Sequence, residues 1–282
     1  MAATIRCPAC GRTYPLKSQA EGKSVRCQEC THQFRVSHIG RYQVLEELGR
    51  GAFGVVYRVH DPKMDREAAV KVLHAEVMRQ AGSADTLHRF RNEAKLLAQI
   101  VHTNILPLYE ADQHDGQLYL VTALIRGRRL DELIPEHGFA DPRRAIDFVI
   151  PLLEALHYVH SSYGICHRDV KPANIMIGEG DCLFLMDFGL AVCQDQDASR
   201  ITTGGTALGT PSYMPPEQAQ GELKKIGPAS DQYSAAVVLF HMLTGQLPFR
   251  KPMPAILHEI IATPAPRPSS LRKGLGADMD RI

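Results

Sequence analysis

The chain has 282 residues, is 44% apolar and 22% charged, and carries a formal charge of +1. Near-neutrality excludes a global field that would draw the whole molecule to nucleic acid or to an anionic membrane surface. No stretch reaches the roughly 18 apolar residues of a spanning helix, and the N-terminus lacks the charged-then-apolar pattern of a signal segment. The expectation is a cytoplasmic chain of about two domains with no membrane segment.

Charge is unevenly divided: residues 1–41 hold seven Lys or Arg against two Asp or Glu. Such a mild basic excess usually marks a solvated face, so nucleic acid is not an expected partner. Within this segment Cys7-Pro8-Ala9-Cys10 and Cys27-Gln28-Glu29-Cys30 form two C-x-x-C pairs sixteen residues apart. Each pair can set two thiolates on one tight knuckle, and two knuckles complete a tetrahedral sulfur site for Zn²⁺. Arg12-Thr13-Tyr14 and Gln33-Phe34-Arg35-Val36 alternate like short strands. The layout resembles a small bacterial zinc-ribbon family found ahead of larger domains. That resemblance implies a module over residues 1–38 with structural Zn²⁺ on Cys7, Cys10, Cys27 and Cys30. Disulfides are the rival reading, opposed by the unpaired Cys166, Cys182 and Cys193 of a chain read as cytoplasmic. A closed four-thiolate site leaves no position for water, so a structural or docking role is expected rather than zinc chemistry.

Past residue 41 the pattern changes. Val44 to Leu48 and Val55 to Val59 alternate, with Gly49, Gly51 and Gly54 around the turn. A hairpin of this kind can approach a phosphate chain closely because no Cβ intervenes. Lys71 sits in the apolar strand Ala68 to Leu73, where a lone ammonium is costly. Residues 84–101 place Leu87, Phe90, Ala94, Leu97 and Val101 at helical spacing, with Glu93 beside the stripe as the expected partner of Lys71. Ala145 to His160 carries a second helical stripe, Ile146, Val149, Leu153, Leu156 and Val159, which Pro151 is expected to interrupt.

His167-Arg168-Asp169-Val170-Lys171-Pro172-Ala173-Asn174 follows, and thirteen residues after Asn174 comes Asp187-Phe188-Gly189. A base, a cation and two metal-ligand types at fixed offsets are what phosphoryl transfer needs. Downstream lie Gly209 to Glu217, then Asp231 ahead of an apolar helix over Ala235 to Leu243. Beyond Phe249 the prolines 252, 254, 264, 266 and 268 predict loop between short helical pieces, one over Ile256 to Ile261.

In this order the motifs resemble the eukaryotic-type, or Hanks-type, serine/threonine protein kinases of bacterial kind. The resemblance implies an α+β, two-lobed protein-kinase fold over residues 42–282. Its N-lobe would be β-rich, about 42–122, and its C-lobe mainly helical, about 127–282, without the last helices of the family. It implies ATP with Mg²⁺ or Mn²⁺, and protein substrates. Lys71 would hold the α- and β-phosphates, fixed by Glu93, under the Gly49, Gly51 and Gly54 backbone. Val56 and Ala69 would roof the adenine and Met176 support it, with Thr122 as gatekeeper and Leu124 in the hinge. Asp169 would be the base, Lys171 would neutralise the γ-phosphate, and Asn174 and Asp187 would hold two metal ions. His167 is expected to pack, and Asp231 to anchor the catalytic loop through its backbone amides. Arg168 before the base implies activation by phosphorylation. Thr202, Thr203 and Thr206 are the expected autophosphorylation sites, which adds self-association to the expected partners. Glu217 is expected to lack the arginine that pairs with it in relatives. The alternative function is a catalytically impaired nucleotide-binding scaffold with a zinc-ribbon docking module.

Overall fold

The computed structural model describes residues 4–15, 22–51, 54–74, 92, 94–188 and 211–281. They fall into two compact units, residues 1–99 with 107–124, and residues 100–106 with 125–282.

The first unit opens with two small antiparallel hairpins, β1 (Thr4–Arg6) with β2 (Thr13–Pro15) and β3 (Ser24–Arg26) with β4 (Gln33–Arg35). Ile5, Cys7, Cys27, Phe34 and Val36 are buried together between them. Next come β5 (His38–Ile39), β6 (Tyr42–Gly51), β7 (Gly54–Asp61), β8 (Arg66–Leu73), β9 (Leu108–His114) and β10 (Gln117–Thr122). These six form one antiparallel sheet in the order β5-β6-β7-β8-β10-β9. Asp115 and Gly116, both at positive φ (48° and 76°), make the two-residue turn between β9 and β10, as a type I′ hairpin requires. Tyr42, Val59, Ala68, Val70, Tyr119 and Val121 pack on one face of this sheet.

In the second unit β11 (Gly127–Arg129), β12 (Ile175–Gly178) and β13 (Leu183–Leu185) form a three-stranded sheet. The helices are α1 (Pro142–Tyr163), α2 (Pro216–Ala219), α3 (Pro228–Thr244), α4 (Ala255–Ala262) and α5 (Pro268–Leu271). Helix α1 starts where the Asp141 carboxylate accepts the Arg143 amide at 2.9 Å and stops at Gly164, which takes the left-handed conformation. It packs against the largely buried α3.

Helix α1 corrects two expectations. It runs unbroken through Pro151. The Asp147 carbonyl, which loses its amide partner there, belongs to an exposed residue and can turn to water. Burial of Phe148, Val149, Leu152, Leu156 and Val159 outweighs the ~3 kcal/mol an interior proline costs. The buried stripe also runs through Leu152, whereas Leu153 is 39% exposed. The stripe ending at Val101 is likewise overextended. The helical stretch 94–97 gives way to a turn at Ala98, and Val101 is 80% exposed. The helical piece expected over Ile256 to Ile261 is α4. Glu93, Ser199, Thr202, Thr203, Thr206, Gly209 and Thr210 lie outside the described residues. Among the described residues, no helix is long and apolar enough to cross a membrane.

Candidate active site

In the first unit, strand register decides which side chains share a face, because directly paired residues point the same way and neighbours along a strand alternate. Lys71 on β8 is paired with Val56 on β7 and Leu120 on β10, and Ala69 is paired with Thr122. Val56, Ala69, Lys71 and Thr122 therefore lie on one face of the sheet. The clustered Val59, Ala68, Val70 and Val121 take the other face. Of the three glycines, Gly49 and Gly51 have open space where a side chain would begin. Gly54 does not: a Cβ there would run into the Val72 carbonyl of β8. That glycine answers to strand packing before it answers to any ligand.

In the second unit the hairpin of β12 and β13 brings the sequence motifs together. Ile175 is paired with Leu185, and the Met186 amide donates to the Asn174 carbonyl at 2.9 Å. Asn174, which precedes β12, and Asp187, which follows β13, are thereby fixed at the same end of the hairpin. Asn174 is 6% exposed. Its Nδ2 donates to the Asp169 carbonyl at 2.8 Å and to Asp169 Oδ2 at 2.9 Å. Lys171 Nζ meets the same carboxylate at 2.9 and 2.7 Å. Asp169, Lys171 and Asn174 are thus one hydrogen-bonded constellation, and Met176 lies two residues beyond it on β12.

The loop is pinned from behind. Asp231 lies within the first turn of α3 rather than ahead of it, and is 1% exposed. Its Oδ2 accepts the His167 amide at 2.6 Å and the His160 ring at 2.8 Å, and its Oδ1 accepts the Arg168 amide at 2.8 Å. Burial alone would raise this carboxyl. The His160 hydrogen bond and the two amides more than offset burial and hold it below its usual range. Arg168 and Asp187 both take positive φ, 65° and 62°, a conformation uncommon for residues with a Cβ.

His167 is packed, 2% exposed, with its ring edge-on to Phe188 at 4.6 Å. Its Nε2 lies 2.7 Å from the Met186 carbonyl and its Nδ1 receives the Asp169 amide at 3.3 Å. A carbonyl can only accept and an amide can only donate, so the ring is the neutral Nε2–H tautomer. Such a histidine positions the loop, with both ring nitrogens committed to the backbone.

Two partners escaped the sequence. His160 was legible only as a helix-end residue, and nothing in the spacing pairs it with Asp231, 71 residues away. Glu217, for which the sequence offered only the expectation of a missing arginine, accepts the Ser230 hydroxyl.

At the N-terminal end, the four cysteine sulfurs lie within 4.8 Å of one another. Cys7 and Cys30 are 3.7 Å apart and Cys10 and Cys27 3.6 Å, far beyond the ~2.05 Å of a disulfide. The knuckle amides of Gly11 and Thr31 donate to the Cys7 and Cys27 carbonyls at 2.9 and 3.1 Å. The Cys30 amide and the Tyr14 hydroxyl, both aimed at Cys27 sulfur, draw its thiol down to about 6.

The second unit thus carries an Asp-Lys-Asn constellation on a loop anchored to Asp231, and the first carries a strand lysine on a sheet with a glycine turn. The protein kinase domain pattern matches residues 42–270, and the chain belongs to the protein kinase family. It is 36% identical over 253 residues to the serine/threonine-protein kinase PknB of Mycobacterium tuberculosis, covering 87% of this chain and 39% of that protein. It is 38% identical over 234 residues to the serine/threonine-protein kinase pkn2 of Myxococcus xanthus, covering 81% of this chain and 27% of that one. The chain thus spans well under half the length of these relatives. Among solved structures it matches the Mycobacterium tuberculosis PknI kinase domain with a TM-score of 0.63 and 27% identity, over 84% of each chain.

Proposed function

We propose that this chain is an ATP-dependent kinase that moves the γ-phosphoryl group of ATP onto serine or threonine hydroxyls of proteins. The observation that carries this reading is the Asp169 carboxylate, held by Lys171 and Asn174 on a loop anchored to Asp231. A carboxylate so fixed can orient a substrate hydroxyl and accept its proton as the new O–P bond forms. Lys171 offsets charge on the transferring group. In the first unit, Lys71 holds the α- and β-phosphates with Glu93 as its orienting acid, beneath the Gly49, Gly51 and Gly54 backbone. Val56, Ala69, Thr122, Leu124 and Met176 are assigned to the adenine. Thr202, Thr203 and Thr206 are assigned to autophosphorylation, with Arg168 as the cation that would meet the added charge.

Asn174 and Asp187 fit a hard divalent cation. With Nδ2 committed to Asp169, the amide of Asn174 has an oxygen left to offer, and Asp187 supplies a carboxylate. Mg²⁺ or Mn²⁺ held there would neutralise phosphate charge.

Cys7, Cys10, Cys27 and Cys30 fit structural Zn²⁺. Sulfurs 2.3 Å from a tetrahedral centre are about 3.8 Å apart, close to the 3.7 and 3.6 Å separations of the two measured pairs. Thiols kept for zinc call for a reducing compartment, which favours the cytoplasm.

Incubation of the purified chain with Mg²⁺ and radiolabelled ATP, beside Lys71→Met, tests the kinase reading. Label in the wild type alone, mapped to Thr202, Thr203 or Thr206, supports it. ATP binding without label identifies instead a nucleotide-binding scaffold whose ribbon docks partners.

A further inference from the structure

Gln43 is polar, lies second in β6, and is fully buried. Tyr42 before it points into the cluster with Val59 and Val70, so Gln43 points to the opposite face. Its register partner His60 and, through β7, the paired Val56 and Lys71 share that face. The amino-terminal hairpin covers Gln43. Its Oε1 accepts the Arg6 amide at 2.5 Å and its Nε2 donates to the Arg6 carbonyl at 2.7 Å. Both ends of the carboxamide are therefore spent on the backbone of one residue, the one before Cys7. The Arg6 side chain then turns back over the first knuckle and donates to the Gly11 carbonyl at 3.2 Å.

The linker is fastened as firmly. Val44 donates to the Ser37 carbonyl at 2.8 Å, and His38 and Ile39 pair with Gln43 and Tyr42. Gly40 turns at φ 58° beside the Tyr119 hydroxyl, where a side chain would clash. Arg41 pairs with Glu110 at 2.6 Å and with the buried Asp61 at 3.4 Å, and covers the Tyr42 ring. The cysteine module is no tethered bead. It is built into the first third of the strand whose far end carries Gly49 and Gly51.

From this we propose that the Gln43–Arg6 junction couples metal occupancy of the four cysteines to the order of β6, and through β6 to nucleotide affinity. The proposal rests on the zinc reading and on the nucleotide role of the glycine turn. The physical basis is continuity. A ribbon with so few buried side chains takes its folding energy from the metal. When it opens, Gln43 loses both partners at once and the start of β6 loses its cover, so local opening of that strand becomes easier.

The test uses the full chain, zinc-loaded or treated with a zinc-selective chelator that spares Mg²⁺, with zinc content measured separately. Amide exchange across residues 42–51 and the affinity for a non-hydrolysable ATP analogue are read in each state. Removing zinc is expected to speed exchange of the Val44 and Glu46 amides by about tenfold or more and to weaken the analogue by about threefold or more. Gln43→Ala is expected to keep its zinc while its analogue affinity no longer responds to the chelator. A chain that never takes up zinc overturns the zinc reading and the coupling together. A chain that binds and releases zinc with β6 exchange and analogue affinity unmoved overturns the coupling alone.

Discussion

The Asp231 carboxylate, buried in the first turn of α3, accepts the amide of His167, 64 residues earlier, at 2.6 Å. This bond and its neighbour to Arg168 hold the backbone on which Asp169 stands. Asp231→Asn tests whether that anchor matters to chemistry. A carboxamide replaces one acceptor with an NH₂, setting donor against donor at His167 and His160 or at Arg168. A loss of about 1–3 kcal/mol in stability is expected, read as a lower urea midpoint. Transfer should fall as well in the molecules that stay folded.

Asp169→Asn separates chemistry from binding. The substituted amide can neither accept a proton nor hold Lys171 as a carboxylate does. Transfer is expected to drop by about 10²–10⁴-fold, the range for loss of a general base, with the affinity for ATP near wild type. Incorporation at the wild-type rate would remove Asp169 from the role of base.

Stability should respond to pH in two windows. Burial holds the His241 ring below its usual 6.5, against a small opposing pull from Asp131, and the ring lies 2.8 Å from the Tyr213 hydroxyl. A group whose folded pKa lies below its unfolded one gives stability that is full above the unfolded value and lost as pH falls. The urea midpoint should therefore start to drop below pH 6.5 through His241. Asp231, also lowered, from 3.8, follows the same sign and adds a second loss below that value. His241→Gln, which can still accept from Tyr213, should flatten the upper window and leave the lower one.

What the sequence disclosed depended on how local the signal was. Asp169, Lys171 and Asn174 lie within six residues, so their contact follows from one loop. The hairpin that gathers Asn174 and Asp187 was not read from the sequence, and appears only in the pairing of β12 with β13. Pro151 misled because a local rule about helices was overruled by packing along the whole of α1. Leu152 and Leu153 could not be told apart, since either fits a stripe of period 3.6. Gln43 was invisible for a different reason. A glutamine on a strand reads as solvent-facing, and only the fold shows that Arg6 covers it. The gathering of the four cysteines was legible from their two C-x-x-C pairs, but the junction of that segment with β6 was not.

The two glycines at the ends of β6 and β7 should part company when each is changed to alanine. They face each other across the turn, Gly51 paired with Gly54, and both fit a phosphate-cradling loop. At Gly51 a Cβ meets nothing among the described residues, so Gly51→Ala should leave the unfolding midpoint within error and act only on nucleotide affinity. At Gly54 the Cβ would strike the Val72 carbonyl and crowd the Leu73 backbone, and backbone in a paired strand cannot step aside as a side-chain tip can. Gly54→Ala is expected to cost about 1–3 kcal/mol, as overpacking does, and to lower the melting temperature even without nucleotide. Equal melting of the two variants would mean that β7 and β8 can separate locally, and that the turn, not the strand contact, is what calls for glycine at 54.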